Sequence, residues 1–561
     1  MVEPPRRRNT VAFEEALAGI RRGIAGLGAR IRTPFGDRLL CYADLTASGR
    51  VFAPVEAFVA ALGPYYANSH TFVSSTGAAM TALREQARAA VARSVNAGPG
   101  DAVLFAGSGA TAAVNVLVGA LGLRGSEPRE RPVVFVGPYE HHSNELPWLE
   151  SNADAVEVAL GADGRIDLAD LESRLVEHAG RALKIGAFSA CSNVTGLLTD
   201  VAAVARTLHR HGALAFFDYA ASAPYVPIDM HPTRDDERLD AIFLSPHKFV
   251  GGPQASGVLV AGRALFRDRA PVRPGGGTVD YVARLDRRSV DYSRRIEERE
   301  EGGTPAILGD VRAGAALLLK EWLGPERLLE RETALARVAV ARLARHPAIR
   351  LLGSLEAPRL PILSFTVERL HHDFVSALLD HLFGIQNRAG CDCAGPYGHR
   401  LLGIDLATSE RYRAWIRRGV QGIKPGWVRV SLPYYATEGE IDFILRAVEF
   451  VATHGRAFLP LYTLDWRDGV WRQEEHAADP CPLPPLTAEA VLAARAAPEV
   501  TPDEAALASE REGYLVEARA LAADLEARWS EGSPSFNATT GDRDLDSLVW
   551  FDHVRTRGFR R

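Results

Sequence analysis

The 561-residue chain is expected to fold as an α/β protein: a large domain on a mainly parallel, seven-stranded sheet, a smaller α+β domain, and a C-terminal extension. Three observations carry this. Seven short apolar runs alternate with helical patterns between residues 100 and 262, as repeated βαβ units do. A long helical pattern over 306–346 then leads into strand patterns at 360–368 and 427–433 and a helix from Glu438 to near Thr453. After Pro460 the sequence turns to a Pro-rich stretch, DPCPLPPLT at 479–487, and to Ala/Glu-rich helical sequence,. The expected division is an N-terminal segment 1–50, a large domain 51–305, a small domain 306–460 and an extension 461–561.

The seven runs are AVLFAG, PVVFVG, AVEVAL, KIGAFSA, ALAFFD, AIFLS and GVLVAG. They are short and apolar, and with the helical patterns between them they suit the strands of a parallel sheet. Between them lie periodic segments such as 168–179 and 200–212, the latter ending in cationic residues and Gly212, a helix stop,. Polar groups at the strand ends then gather on one rim, where open α/β sheets bind ligands. Residues 264–305, rich in Arg, Gly and Asp, break the alternation and read as loops and a crossover.

Composition narrows the function. The net charge of −5 and hydrophobic content of 47% describe a globular chain without the basic surface that nucleic acid requires. Five cysteines in so long a chain cannot form a disulfide framework, so a reducing cytoplasm is the expected setting,. The basic N-terminus runs straight into an amphipathic pattern, with no export signal evident,. The uncharged run from Ala102 to Leu123 holds Ser108, Thr111, Asn115 and several glycines, and so reads as strand, loop and buried helix, with no membrane partner expected,.

Three motifs carry chemistry. Gly107-Ser-Gly-Ala-Thr111 follows a strand and opens a helix, a place for an anion, though it lacks the Lys of a P-loop and the spacing of a dinucleotide fingerprint,. Lys248 follows the run AIFLS in Ser245-Pro-His247-Lys248. It keeps company with Asp218 at another strand end and with His141 and His142 after PVVFVG. An aldehyde cofactor held as a Schiff base needs this set: an amine, a carboxylate for a ring nitrogen, a flat group over the ring and a phosphate cradle. The third is Arg388-Ala-Gly-Cys391-Asp-Cys393-Ala-Gly-Pro396.

Over roughly residues 40–455 the order of these motifs resembles the class V aminotransferases, and within them the cysteine desulfurase branch. The resemblance implies the PLP-dependent transferase fold type I, like that of aspartate aminotransferase, with pyridoxal 5'-phosphate as cofactor. It also implies roles. Lys248 would carry the cofactor, Asp218 would pair with the ring nitrogen, His141 would stack on the ring and shuttle protons, and Asn193 would bond the ring hydroxyl. The Ala110 and Thr111 amides, Ser245 and His247 would take the phosphate, and Thr278 would reach the phosphate of a neighbouring subunit, which implies a homodimer. Glu297–Pro305 is similar to the family's Arg-x-Glu-x-Gly-Thr-Pro segment. Cys393 stands at the desulfurase nucleophile and Arg429 at the arginine that forks the substrate carboxylate, with Arg388 beside them,.

The expected reaction is conversion of L-cysteine to L-alanine with a persulfide on Cys393, the sulfur passing to an acceptor protein or leaving as sulfide. The alternatives are a C–S lyase or selenocysteine lyase acting on a related sulfur or selenium amino acid, an aminotransferase or epimerase of the same fold, and a non-enzymatic partner-binding scaffold. Metal binding at Cys391, Asp392, Cys393 and His399 is the rival reading of the third motif, but C-x-C lacks zinc spacing and no metal is expected,. Cys41, Cys191 and Cys481 read as small hydrophobes or loop residues,.

The chain also departs from the family. Ala221 stands where a glutamine commonly touches the cofactor. An insertion at 409–422 reads as a lid, a docking surface or a peripheral helix, and the extension matches nothing in the family's core, its Trp550 and Phe551 offering anchors for a partner,. Residues 65–77 resemble the segment near the substrate entrance, His371-His372 reads as a solvated helix start, and 286–299 as an exposed, salt-bridged face,.

Overall fold

All seven apolar runs become strands of one sheet. A computed structural model describes residues 13–125, 130–267, 270–283, 289–391, 393–473, 481, 483–494, 503–531, 535–537 and 539–558. The strands are β1 (Asp101–Gly107), β2 (Val133–Val136), β3 (Asp154–Glu157), β4 (Lys184–Ser189), β5 (Leu214–Asp218), β6 (Ala241–Leu244) and β7 (Gly257–Gly262). Their order across the sheet is β1-β7-β6-β5-β4-β2-β3. The pairs from β6 to β3 are parallel, and β7 runs antiparallel to both β6 and β1. The basic first residues, Asp392, residues 286–288 of the Arg-rich stretch, and Asp479, Pro480 and Pro482 of the Pro-rich stretch lie outside the described residues.

The apolar runs are continuous because the sheet is covered on both faces. Val103, Phe105, Val133, Phe135, Phe217, Ile242 and Val258 enter one core. Their neighbours Leu104, Ala106, Val134, Val136, Phe216, Phe243 and Leu259 enter another. Successive side chains point to opposite faces of a strand, so every position must be apolar when neither face meets water. The helix Ile307–Leu323 packs on the helix Ser75–Ser94 and gives Ala313, Ala316 and Leu317 to the first core.

A second sheet, antiparallel throughout, holds β8 (Ile349–Leu351), β9 (Ile362–Val367), β10 (Arg388–Gly390) and β11 (Trp427–Ser431) in the order β8-β9-β11-β10. Arg429 sits mid-strand in β11, opposite Ser364 on one side and Arg388 on the other. The N-terminal segment joins this region: Cys41–Tyr42 pairs in parallel with Ile385–Gln386.

The extension is built into the same core. Its helix Glu504–Glu531 places Leu507, Tyr514, Leu515, Ala518, Ala522 and Leu525 against Leu39, Cys41, Phe443 and Phe450. The Tyr514 hydroxyl accepts the Leu39 N–H at 3.0 Å, Arg38 pairs with Glu517 at 3.0 Å, and Arg446 pairs with Glu512 at 2.7 Å. Beyond it, Tyr462–Asp465 pairs with Trp471–Gln473 and with Arg555–Arg557.

That packing corrects two expectations and bears on a third. His371 caps the helix His372–Phe383, its Nδ1 accepting the Asp373 N–H at 3.1 Å. It is not solvated, because the tail folds over the helix start. The His371 and His372 rings stack 4.1 Å apart and are 1% and 5% exposed, with Trp550 and Phe551 against them. Trp550 and Phe551 therefore anchor the tail on its own chain, not on a partner. Of the readings of the insertion, the packing favours the peripheral helix: the helix Leu406–Arg417 lies on the tail, where Trp415 Nε1 donates to Asp544 at 2.7 Å and the Tyr412 hydroxyl to the Leu548 carbonyl at 3.2 Å. Among the described residues no helix is long and apolar enough to cross a membrane.

Candidate active site

The carboxyl ends of the sheet strands converge on a cavity of about 270 Å³. β5 ends in Asp218, β6 leads through Ser245 into the turn Pro246–Lys248, β2 leads to His141, and β1 ends at Gly107 before the helix Gly109–Ala120. Strand ends meet here because a parallel sheet brings all its carboxyl ends to one side.

One wall is a cradle at the start of the helix Gly109–Ala120. Gly107 and Gly109 take left-handed φ values of 99° and 58°, which only glycine adopts without strain. The Ala110 N–H donates to Ser245 Oγ at 2.9 Å, and the hydroxyls of Thr111 and Ser143 lie 2.6 Å apart. A Cβ on Gly109 would press on Ser245 Oγ and the His247 ring, each 3.0 Å away. Backbone amides and hydroxyls at a helix N-terminus suit a phosphate.

The reactive groups line the rest. Burial holds the Lys248 amine down at about 8; Asp218 and Asp44 oppose this and Arg429 reinforces it. Burial raises the Asp218 carboxyl, while the Ala220 N–H, donating at 2.8 Å, and Lys248 pull it back. His141 is pushed down to about 4 by burial and then by Lys248, His142 and Arg429. Its Nδ1 accepts the Ser143 N–H at 3.0 Å, so the neutral ring carries its proton on Nε2,. Beside Asp218, burial lifts Glu140 to about 8, against the Asn144 amide at 2.6 Å and the Ser189 hydroxyl and N–H at 2.7 and 2.8 Å.

Across the cavity Arg429 is 3% exposed. Its Nη2 donates to Asp44 Oδ1 at 3.0 Å and its Nη1 to the Asn193 carbonyl at 3.1 Å, while Arg388 holds Asp44 Oδ2 at 3.1 Å. Cys393, exposed and left-handed at φ 55°, lines the same space. Its carbonyl accepts the His142 N–H at 2.9 Å, which ties its loop to the His141 turn.

The cavity thus gathers Lys248, Asp218, His141, Asn193, Ala110, Thr111, Ser245, His247, Arg388, Arg429 and Cys393. Thr278 is not among its lining; it is buried in a turn, its hydroxyl donating to the Gly275 carbonyl at 2.7 Å. Sequence reasoning passed over Asp44, Thr46, Ser143, Ser189 and Glu140. Ser189 had a signal, since it ends β4 directly opposite Asp218. Asp44 and Thr46 had none, because they come from the N-terminal segment. Cys191, read as a small hydrophobe, is buried with its thiol pKa raised by burial, yet it lines the cavity. An amine, a buried carboxylate, a neutral imidazole and an anion cradle fit a phosphorylated pyridine aldehyde.

Comparison with known proteins identifies the family. The model of a family described as aminotransferase class-V matches residues 41–444. A probable cysteine desulfurase of Halalkalibacterium halodurans is 32% identical over 415 residues, covering 73% of this chain and 92% of its own. Another, from Streptomyces coelicolor, is 30% identical over 402 residues, covering 70% and 88%. Among solved structures, the apo cysteine desulfurase of Thermococcus onnurineus NA1 superposes with a TM-score of 0.61 at 25% identity, covering 74% of this chain and 95% of its own. The Escherichia coli cysteine desulfurase CsdA, in an S-sulfonic acid form, gives 0.60 at 25% identity, covering 77% and 97%. The matched span is well over half of the chain and holds the seven-stranded and four-stranded sheets and every lining residue of the cavity, so the chain belongs to the class-V aminotransferase family.

Proposed function

We propose that this chain is a pyridoxal phosphate-dependent cysteine desulfurase that converts L-cysteine to L-alanine and places the sulfur on Cys393. The observation that carries the reading is that Cys393 and Lys248, from a small-domain loop and a sheet-strand end, line one cavity with Arg429. The relatives described as cysteine desulfurases support it.

When bound, pyridoxal phosphate supplies an electron sink for a negative charge developing at the amino acid's α-carbon. Lys248 Nζ would hold it covalently, Asp218 would keep its ring nitrogen protonated, His141 would lie on its ring and Asn193 at its hydroxyl. The Ala110 and Thr111 amides, Ser245 and His247 would hold its phosphate. Arg429 and Arg388 would bind the substrate carboxylate, which then shares them with Asp44,. Lys248 Nζ, at about 8, is suited to take up the α-proton near neutral pH. Cys393 Sγ, as thiolate, attacks the substrate sulfur: the new S–S bond forms, and the C–S bond breaks with its electron pair going to the β-carbon, which is protonated to the methyl of alanine.

The reading extends to a cytoplasmic homodimer in which Thr278 meets the phosphate of a second copy, and to a sulfur-acceptor protein. Thr278 standing outside its own cavity is consistent with that. Residues 51–305 would hold the cofactor and 306–460 would bring Cys393 and Arg429. Product analysis beside a Cys393→Ser variant tests it. Alanine with a persulfide on Cys393, lost in the variant, is expected; pyruvate and ammonia would make the protein a lyase, and no sulfur release would return it to transamination.

A further inference from the structure

Cys391 and Cys393 share a loop fixed at both ends. On one side β10 pairs with β11, placing Gly390 opposite Trp427. On the other, the His142 N–H donates to the Cys393 carbonyl at 2.9 Å and His142 Nε2 accepts the Gly395 N–H at 3.2 Å. Between these anchors the Ala394 N–H returns to the Cys391 carbonyl at 3.0 Å, and Cys393 takes its left-handed φ of 55°. A chain folded back in this way brings the Cα atoms of residues two apart to roughly 5–6 Å, against ~7 Å when extended. That lies inside the span of about 4.4–6.8 Å that a disulfide bridges. Both cysteines are free; Cys393 is exposed on the cavity, and Cys391 is half-buried against the large-domain core.

We propose that Cys391 is the resolving thiol of this enzyme, so that sulfur leaves as hydrosulfide while the pair closes into a disulfide. The inference rests on the desulfurase reading. Once Cys393 carries a persulfide, the Cys391 thiolate attacks Cys393 Sγ. The Sγ–Sγ bond forms, the bond from Cys393 Sγ to the outer sulfur breaks, and its electron pair leaves with hydrosulfide. The two cysteines supply the two electrons and end as a disulfide, which an external dithiol reduces by exchange before the next turnover. Attack on the inner sulfur is favoured because hydrosulfide is a weaker base than a cysteine thiolate and so leaves faster. The anchors need not move, because the reacting atoms belong to the short loop between them.

The test adds one equivalent of L-cysteine per active site to the cofactor-loaded enzyme, without other reductant, then alkylates and reads intact and peptide masses together with free sulfide. Wild type is expected to release one equivalent of sulfide and to become lighter by two hydrogens, with Cys391 and Cys393 joined and protected from alkylation. Cys391→Ser and Cys391→Ala are expected to release none and to become heavier by one sulfur on Cys393. Wild type keeping its sulfur on Cys393 as the variants do would overturn the inference and leave the desulfurase reading standing. Sulfur found on Cys391 would overturn it in favour of a relay. No sulfur on Cys393 in either Cys391 variant would overturn the desulfurase reading and this inference with it.

Discussion

Arg429 Nη2 and Asp44 Oδ1 meet at 3.0 Å, and the other oxygen of the same carboxylate holds Arg388 at 3.1 Å. Asp44 thus bridges the two arginines that the proposed function assigns to the substrate carboxylate. A planar guanidinium can keep one donor on Asp44 and turn another to the incoming carboxylate, which an ammonium cannot do at the same geometry. Arg429→Lys is expected to raise KM for cysteine roughly 10- to 100-fold, the ~1.5–3 kcal/mol of a hydrogen bond to a charged group, with a smaller change in kcat. Steady-state kinetics would refute this if KM stayed within twofold.

Among the described residues, Lys248 is the one amine on the cavity wall. Lys248→Ala is expected to lose the visible absorbance of the protein-bound cofactor and at least the ~10²–10⁴-fold that a positioned base contributes. Spectra of the purified variant decide it, and retained colour of wild-type intensity would count against the assignment.

The same amine makes stability depend on pH. Its folded pKa of about 8 lies below the ordinary 10.5, chiefly through burial. Between those values the unfolded chain holds a proton that the folded chain lacks, so the cofactor-free protein gains stability as pH rises from about 8 to about 10.5,. Lys248→Met has no such proton. The difference in denaturation midpoint, wild type minus Lys248→Met, is expected to climb across that window, and a flat difference would mean the amine is not held down.

Gly257, at the start of β7, lies so close to the anion cradle that a Cβ there would overlap the Gly109 backbone. Gly257→Ala is expected to push the cradle off its anion and to weaken cofactor retention at least tenfold, read by absorbance after dialysis. Retention equal to wild type would show that the cradle yields without cost.

Tyr514 ties the extension to the N-terminal segment. Tyr514→Phe keeps the ring and removes the acceptor of the Leu39 N–H. Leaving a buried N–H without a partner costs about 1–3 kcal/mol, which denaturant unfolding would register as a lower midpoint. Full stability in the variant would mean the hydrogen bond contributes nothing.

Much of this was legible along the chain because it is local. Lys248 and Asp218 each stand at the end of an apolar run that reads as a strand, and the Gly107–Thr111 turn sits between a strand and a helix. Asp44 and Glu140 were not legible: a lone acid in a loop reads the same whether it faces solvent or two arginines. Nor was the burial of His371 and His372, because the residues that cover them, Trp550 and Phe551, lie far away in sequence.

The positions of the strands along the chain, the Gly-rich turn before a helix, and the residues offered as amine, carboxylate, imidazole and thiol were set by the sequence alone, since residue type and hydrophobic period need no knowledge of distant contacts, whereas the order of the strands across the sheet came from their pairing. Tertiary structure alone decided that the Cys393 loop closes on the His141 turn, that Asp44 bridges Arg388 and Arg429, and that the extension belongs to the small-domain core. Each of these depends on segments remote in sequence meeting in space, and burial and pairing arise only when they meet.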